Sequence, residues 1–191
     1  MKRFIETIKN IWAISELKDK ILTTLGLLLI YRIGSTVLLP GVDPESLTQL
    51  QAQTSEGLLG VLNAFTGGAF SRASVMALGI MPYISASIFM QLMTILVPQL
   101  QKVQKEGESG RNKINQWTRY LTVIVTTFQA GAYVAYLNSP GYADALIPAY
   151  KDYFWFSTVV TLTAGTLFVM WLGEQITERG IGNGISLIIF A

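Results

Sequence analysis

Apolar residues in this chain collect in long unbroken runs and do not alternate with polar ones. Runs of this kind cover Ile21–Leu39, Val75–Pro98, Tyr120–Leu137 and Tyr153–Gly173. Each is close to the roughly 20 residues a helix needs to cross the hydrocarbon core of a bilayer. The last three contain no charged side chain, and the first contains only Arg32. A fifth run, Ile181–Ala191, rises only about 16 Å as a helix, half the required thickness. The pattern predicts four spans and the beginning of a fifth, as in the N-terminal part of a longer protein.

A shorter run, Leu58–Phe70, fits none of these spans. It holds Leu58, Leu62 and Phe65, is broken by Gly67-Gly68, and reaches about 20 Å at most. It follows an outer connection and precedes a span that starts from the outside, so it enters and leaves on one face. Two structures satisfy that condition. One is a re-entrant segment enclosed by protein or lining a wet cavity; the other is a helix lying flat on the outer leaflet. Periodicity does not separate them. Near the N-terminus, Phe4, Ile8, Ile11 and Trp12 share a helical face over residues 3–17, which predicts an amphipathic cytoplasmic segment within residues 1–20.

Charge fixes the orientation. Of 191 residues 51% are hydrophobic and 14% charged, against about 25% charged in soluble domains. Eleven of the 14 basic residues fall on one side: Lys2, Arg3, Lys9, Lys18 and Lys20 before the first span, Lys102, Lys105, Arg111, Lys113 and Arg119 between the second and third, and Arg179 after the fourth. That side is predicted to be cytoplasmic, with the N-terminus. The opposite connections carry Asp43, Glu45, Glu56, Asp144 and Asp152 against Lys151. The net charge of +2 gives no signal for direct nucleic acid binding. With no Cys and no His, thiol nucleophiles, Ser-His catalysis and zinc sites are excluded for this stretch, and no metal or cofactor motif is present.

Within the second run, Ile80, Ile84 and Ile88 recur at four-residue spacing, Ser85 and Ser87 bracket the same turn, and Pro82 removes a backbone hydrogen bond there. This stripe faces either a cavity, where it would form an apolar constriction, or lipid and neighbouring helices. Ser157, Thr161 and Gly165 predict a close-packing helix face. Arg32 either snorkels to the outer surface or lines an ion path. Gly180–Gly184 lacks the dinucleotide-binding spacing and predicts a tight turn, while Glu174 and Glu178 read as a solvated face beside Arg179. A secondary transporter built from inverted repeats would need an ionisable site at mid-depth, which these runs do not offer. An intramembrane enzyme would need a catalytic set there, which they also lack.

The stretches Tyr31–Ser35, Leu39–Asp43, Phe65–Ser74, Ala77–Ser87, Lys105–Arg111, Thr118–Tyr120 and Trp171–Gly184 closely resemble the SecY family of bacterial protein-conducting channel subunits. The resemblance covers nearly the whole chain. It implies an all-α polytopic membrane protein, here the N-terminal five-span half of a ten-span inverted-repeat channel, with an incomplete fifth span. The short run becomes a re-entrant plug over 58–71, including Leu58, Leu62, Phe65, Gly67 and Gly68. An apolar pore ring maps to Ile80 and Ile84 in the second span and to Ile185 and Ile189 in the fifth. Ser85, Ser87 and Gln129 map to a lateral gate, and Lys105, Arg111, Lys113 and Arg179 become candidate contacts for a cytoplasmic partner. The implied setting is the bacterial inner membrane, with SecE and SecG subunits, a SecA motor or a ribosome, a translocating polypeptide and lipid as partners. The activity implied is non-enzymatic passage of unfolded polypeptide.

Overall fold

A computed structural model describes residues 14–43, 57–139, 146–148 and 151–191. Among these, the regular structure is helical: α1 (Ser15–Gly34), α2 (Gly57–Phe65), α3 (Met81–Leu96), α4 (Pro98–Lys105), α5 (Glu108–Leu137), α6 (Lys151–Arg179) and α7 (Gly184–Phe190). Residues 1–13, which carry most of the expected amphipathic segment, lie outside the described residues, as do Glu45, Glu56 and Asp144. Two helices, α5 and α6, are long and apolar enough to cross a membrane, and α3 with α4 makes a third if that pair, bent by 101°, is one span. The first turns of α1 carry Glu16, Lys18, Asp19 and Lys20, so only its remainder is apolar.

The second apolar run does not become helical at Val75. Residues 75–80 are turns, and α3 starts at Met81 with Pro82 in its first turn. Proline there loses no helical hydrogen bond, because the first N–H groups of a helix have no partner inside it. The turns are held by a partner distant in sequence. Leu39 N–H donates to the Ala73 carbonyl at 2.9 Å and Val75 N–H to the Val37 carbonyl at 2.8 Å, around a bridge between Leu38 and Ser74. The end of α1 is thereby tied to the approach to α3. The basic connection Lys102–Arg119 is helical except for Glu106-Gly107, where Gly107 at φ 79° lets the chain reverse between α4 and α5.

Packing runs α3 against α5, α5 against α6, α6 against α7, and α1 against α6. One core joins Leu39, Val42, Leu78, Val134, Phe154 and Leu162, and a second joins Tyr31, Met76, Ile80, Val169, Leu172 and Ile188. On α5 the buried Thr118, Thr122 and Thr126 hydroxyls donate to carbonyls one turn back, at 2.9, 2.8 and 2.6 Å. Local bonds of this kind let a polar stripe pack without unmet donors. On α6 the packed face is displaced by one position from the one expected. Gly165 does lie against the Val75 carbonyl, but Thr158, Leu162 and Thr166 are buried, whereas Ser157 and Thr161 are half-buried at its edge.

The outward surface suits lipid. Phe128, Phe156 and Leu96 are at least 70% exposed. Tyr153 and Trp155 are exposed near one end of α6 and Trp171 near the other. Sixteen residues of helix separate Trp155 from Trp171, about 24 Å, which matches two aromatic girdles flanking a hydrocarbon core.

Candidate functional site

The short run Leu58–Phe70 forms α2 followed by turns through Ile80. Gly67 and Gly68 adopt φ 59° and 84°, backbone that side chains other than glycine adopt at a cost. The turn is closed by its own side chains. The Thr66 hydroxyl accepts from Phe70 N–H at 3.2 Å, and the Asn63 side-chain oxygen accepts from Ser71 N–H at 3.0 Å. It is also held from outside. The Tyr31 hydroxyl on α1 donates to the Thr66 carbonyl at 3.3 Å, Arg32 donates to the Gly67 carbonyl at 3.4 Å, and the Tyr133 hydroxyl on α5 donates to the Phe70 carbonyl at 2.8 Å. Arg32 therefore contacts the glycine turn, a role the sequence pattern did not suggest. Leu62 is half-buried and Phe65 is exposed; Leu58 lies in α2, its side chain outside the described residues.

Beside this turn the isoleucines gather. Ile80 is 1% exposed, and Ile84, Ile185 and Ile189 are half-buried against the same cluster. Ile84 N–H donates to the Ile80 carbonyl at 3.1 Å, so the two residues share a face even though Ile80 precedes the helix. Ile88, next on that stripe, is exposed. The cluster draws in Ile188, buried on α7, together with Tyr31 and Met76, none of which the pattern singled out. The α7 register depends on Asn183, whose side-chain oxygen accepts from Ile185 N–H at 3.0 Å and Ser186 N–H at 3.3 Å. This N-cap supplies acceptors for two otherwise unpaired donors. The Gly180–Gly184 stretch is the expected tight turn, and Gly184 sits directly on the Gly173 carbonyl of α6, where no side chain fits.

A cavity of about 370 Å³ opens between the glycine turn, α3 and α5. Its walls include Thr66, Phe70, Ser85, Gln129 and Tyr133. Ser85 and Gln129 thus line one cavity. Ser87 does not line it, and accepts instead from Gln91 on its own helix at 3.3 Å. The Ser85 hydroxyl donates to the Met81 carbonyl at 3.1 Å.

The cations read as candidate partner contacts do not line this cavity. Lys105, Arg111, Lys113 and Arg179 are all exposed, and Lys113 pairs with Glu106 at 3.3 Å. Arg119 and Glu174 form an ion pair at 2.9 Å that joins α5 to α6. Glu174 is therefore more than part of a solvated face. Its partner lies 55 residues away, beyond the reach of any local pattern.

The SecY family profile matches residues 74–191. The protein translocase subunit SecY of Escherichia coli K12 is 52% identical over 180 residues, which are 93% of this chain and 40% of that protein. The SecY of Haemophilus influenzae is 51% identical over 175 residues, 92% of this chain and 39% of the relative. The chain thus spans about two fifths of the length of these curated relatives. Among solved structures, a protein-conducting channel superposes with a TM-score of 0.60 at 21% identity, over 90% of this chain and 35% of that one. Canine Sec61, from a ribosome-channel complex of the endoplasmic reticulum, gives 0.56 at 20% identity over the same shares. The fold is the one these channels share, and with a matched profile over more than half of its residues the chain belongs to the SecY family.

Proposed function

We propose that this chain supplies one wall of a protein-conducting channel in the bacterial inner membrane, with its N-terminus in the cytoplasm. The full channel would have ten spans in two inverted halves, of which this stretch gives four and the start of a fifth. The observation that carries the reading is the convergence of Ile80 and Ile84 with Ile185 and Ile189 beside a glycine-hinged turn, in a chain of the SecY family. Residues about a hundred positions apart supply one apolar surface, and the segment 58–71 is the plug that covers it.

The chemistry follows from what isoleucine lacks. An apolar ring offers no hydrogen bonds or charges, so an ion cannot shed water there without a large penalty. A polypeptide threading the ring displaces the plug and fills the opening, and flexible apolar side chains close around it without reading its sequence. Apolar client segments leave sideways between α3 and α5 and the other half, because lipid solvates them better than a wet pore does. Ser85 and Gln129 stand at that exit, and no covalent bond is made or broken. SecE and SecG complete the assembly, and SecA or a ribosome approaches the cytoplasmic cations Lys105, Arg111, Lys113 and Arg179.

The test is import. The full-length protein, reconstituted with its partner subunits and motor, should carry a secretory precursor into vesicles and protect it from added protease. Gradient-driven uptake of a small solute, with no precursor protected, would favour an inverted-repeat transporter.

A further inference from the structure

The plug turn is gripped most tightly from α5. The Tyr133 hydroxyl bond to the Phe70 carbonyl is the shortest of the three holds on the turn, at 2.8 Å against 3.3 Å from Tyr31 and 3.4 Å from Arg32. The rings meet as well as the polar atoms. Phe70 and Tyr133 lie edge to face with centroids 5.0 Å apart, and Tyr136, one turn-step further along α5, lies tilted at 6.0 Å from Phe70 and 6.3 Å from Tyr133. An edge-to-face pair attracts beyond its buried area. The 370 Å³ cavity borders this trio, so Phe70 can part from Tyr133 without forcing the bundle open.

The geometry points to Tyr133 as a latch, a positioning residue whose hydroxyl keeps the plug seated at rest and whose place on α5 ties release of the plug to movement of that wall. The inference rests on the plug reading of 58–71. Because Tyr133 stands on the same helix as Gln129, one turn away, an apolar segment that displaces α5 at the exit stretches the Phe70 bond directly. Tyr31 and Arg32 hold the turn from α1, a helix that does not carry Gln129.

Accessibility of the plug tests this. Ser71, in the plug turn and 9% exposed, is replaced (Ser71→Cys) in the full-length protein, with every other cysteine of the complex changed to serine, in membranes with its partner subunits. The labelling rate by an impermeant maleimide from the outer side is then measured with and without an arrested secretory client. At rest, Tyr133→Phe should accelerate labelling about five- to tenfold, the ratio set by one hydrogen bond of ordinary net strength. Tyr133→Met, which refills the cluster without a hydroxyl, should match it, whereas a pure packing role would separate the two. With the client arrested, all three proteins should label equally fast. Equal resting rates for Tyr and Phe at 133, with client-dependent labelling intact, would overturn the latch and leave the plug standing. Labelling that ignores the client would overturn the plug assignment and the latch together.

Discussion

Thr158 and Thr166 show how narrowly a buried polar atom is tolerated in this bundle. Both side chains are buried on the packed face of α6, and their hydroxyls have no partner among the described residues. The threonines of α5 avoid that state by donating one turn back. An unmet buried hydroxyl destabilises the fold, and replacing it with a methyl group of the same shape removes the penalty. Thr158→Val and Thr166→Val should therefore each raise stability by about 0.5–1 kcal/mol, read as a higher melting temperature in detergent. A fall in melting temperature would mean the hydroxyls do find partners in the assembled protein. Of the expected packing face Ser157, Thr161, Gly165, the glycine packs closely, while the rest of the buried stripe runs one position on, through Thr158, Leu162 and Thr166. A four-residue repeat gives the direction of a helical stripe, but its neighbours at one-residue offset have the same period. Which of them packs is decided by the helix it meets.

At the scale of elements, the long apolar runs were legible because span length and lack of charge follow directly from the bilayer. Helices α5 and α6 contain the apolar runs Tyr120–Leu137 and Tyr153–Gly173 and extend beyond them. Residues 75–80 were not legible. They are as apolar as α3, and what keeps them out of the helix is the pairing of Val75 with Val37, together with Gly79 at φ 54° and Pro82 just after them. The Arg119–Glu174 pair was hidden for the same reason, since its two halves sit on different helices. Its side chains are 47% and 23% exposed, so solvent screening keeps its worth within about 0.2–1 kcal/mol. Either single reversal, Arg119→Glu or Glu174→Arg, should lower the melting temperature, and the double exchange should recover most of the loss. High salt should shrink the difference between the single variants and the parent. Equal melting for all four proteins at low salt would show that the pair does not hold α5 to α6.

Over the whole molecule, what matters is that segments about a hundred residues apart meet. The start of α3, with the residue just before it, and α7 bring Ile80, Ile84, Ile185 and Ile189 into one cluster, with the glycine turn held beside it by Tyr31, Arg32 and Tyr133. Motif resemblance gave the four isoleucines, while Ile188, Met76 and the tyrosine holds emerge only from packing between distant segments. The central claim is that this surface seals a pore by being apolar. Ile84 is the residue to test, because it is half-buried and its replacement leaves the buried Ile80 in place. The measurement is resting ion conductance of the full-length Ile84→Asn channel with its partner subunits in a planar bilayer, beside a thermal melt of the same preparation. An amide in the constriction lets water bridge it, so conductance should rise well above the parent's while melting changes by a few degrees at most. Unchanged conductance together with clearly lowered melting would place Ile84 against lipid or a neighbouring helix and contradict the account.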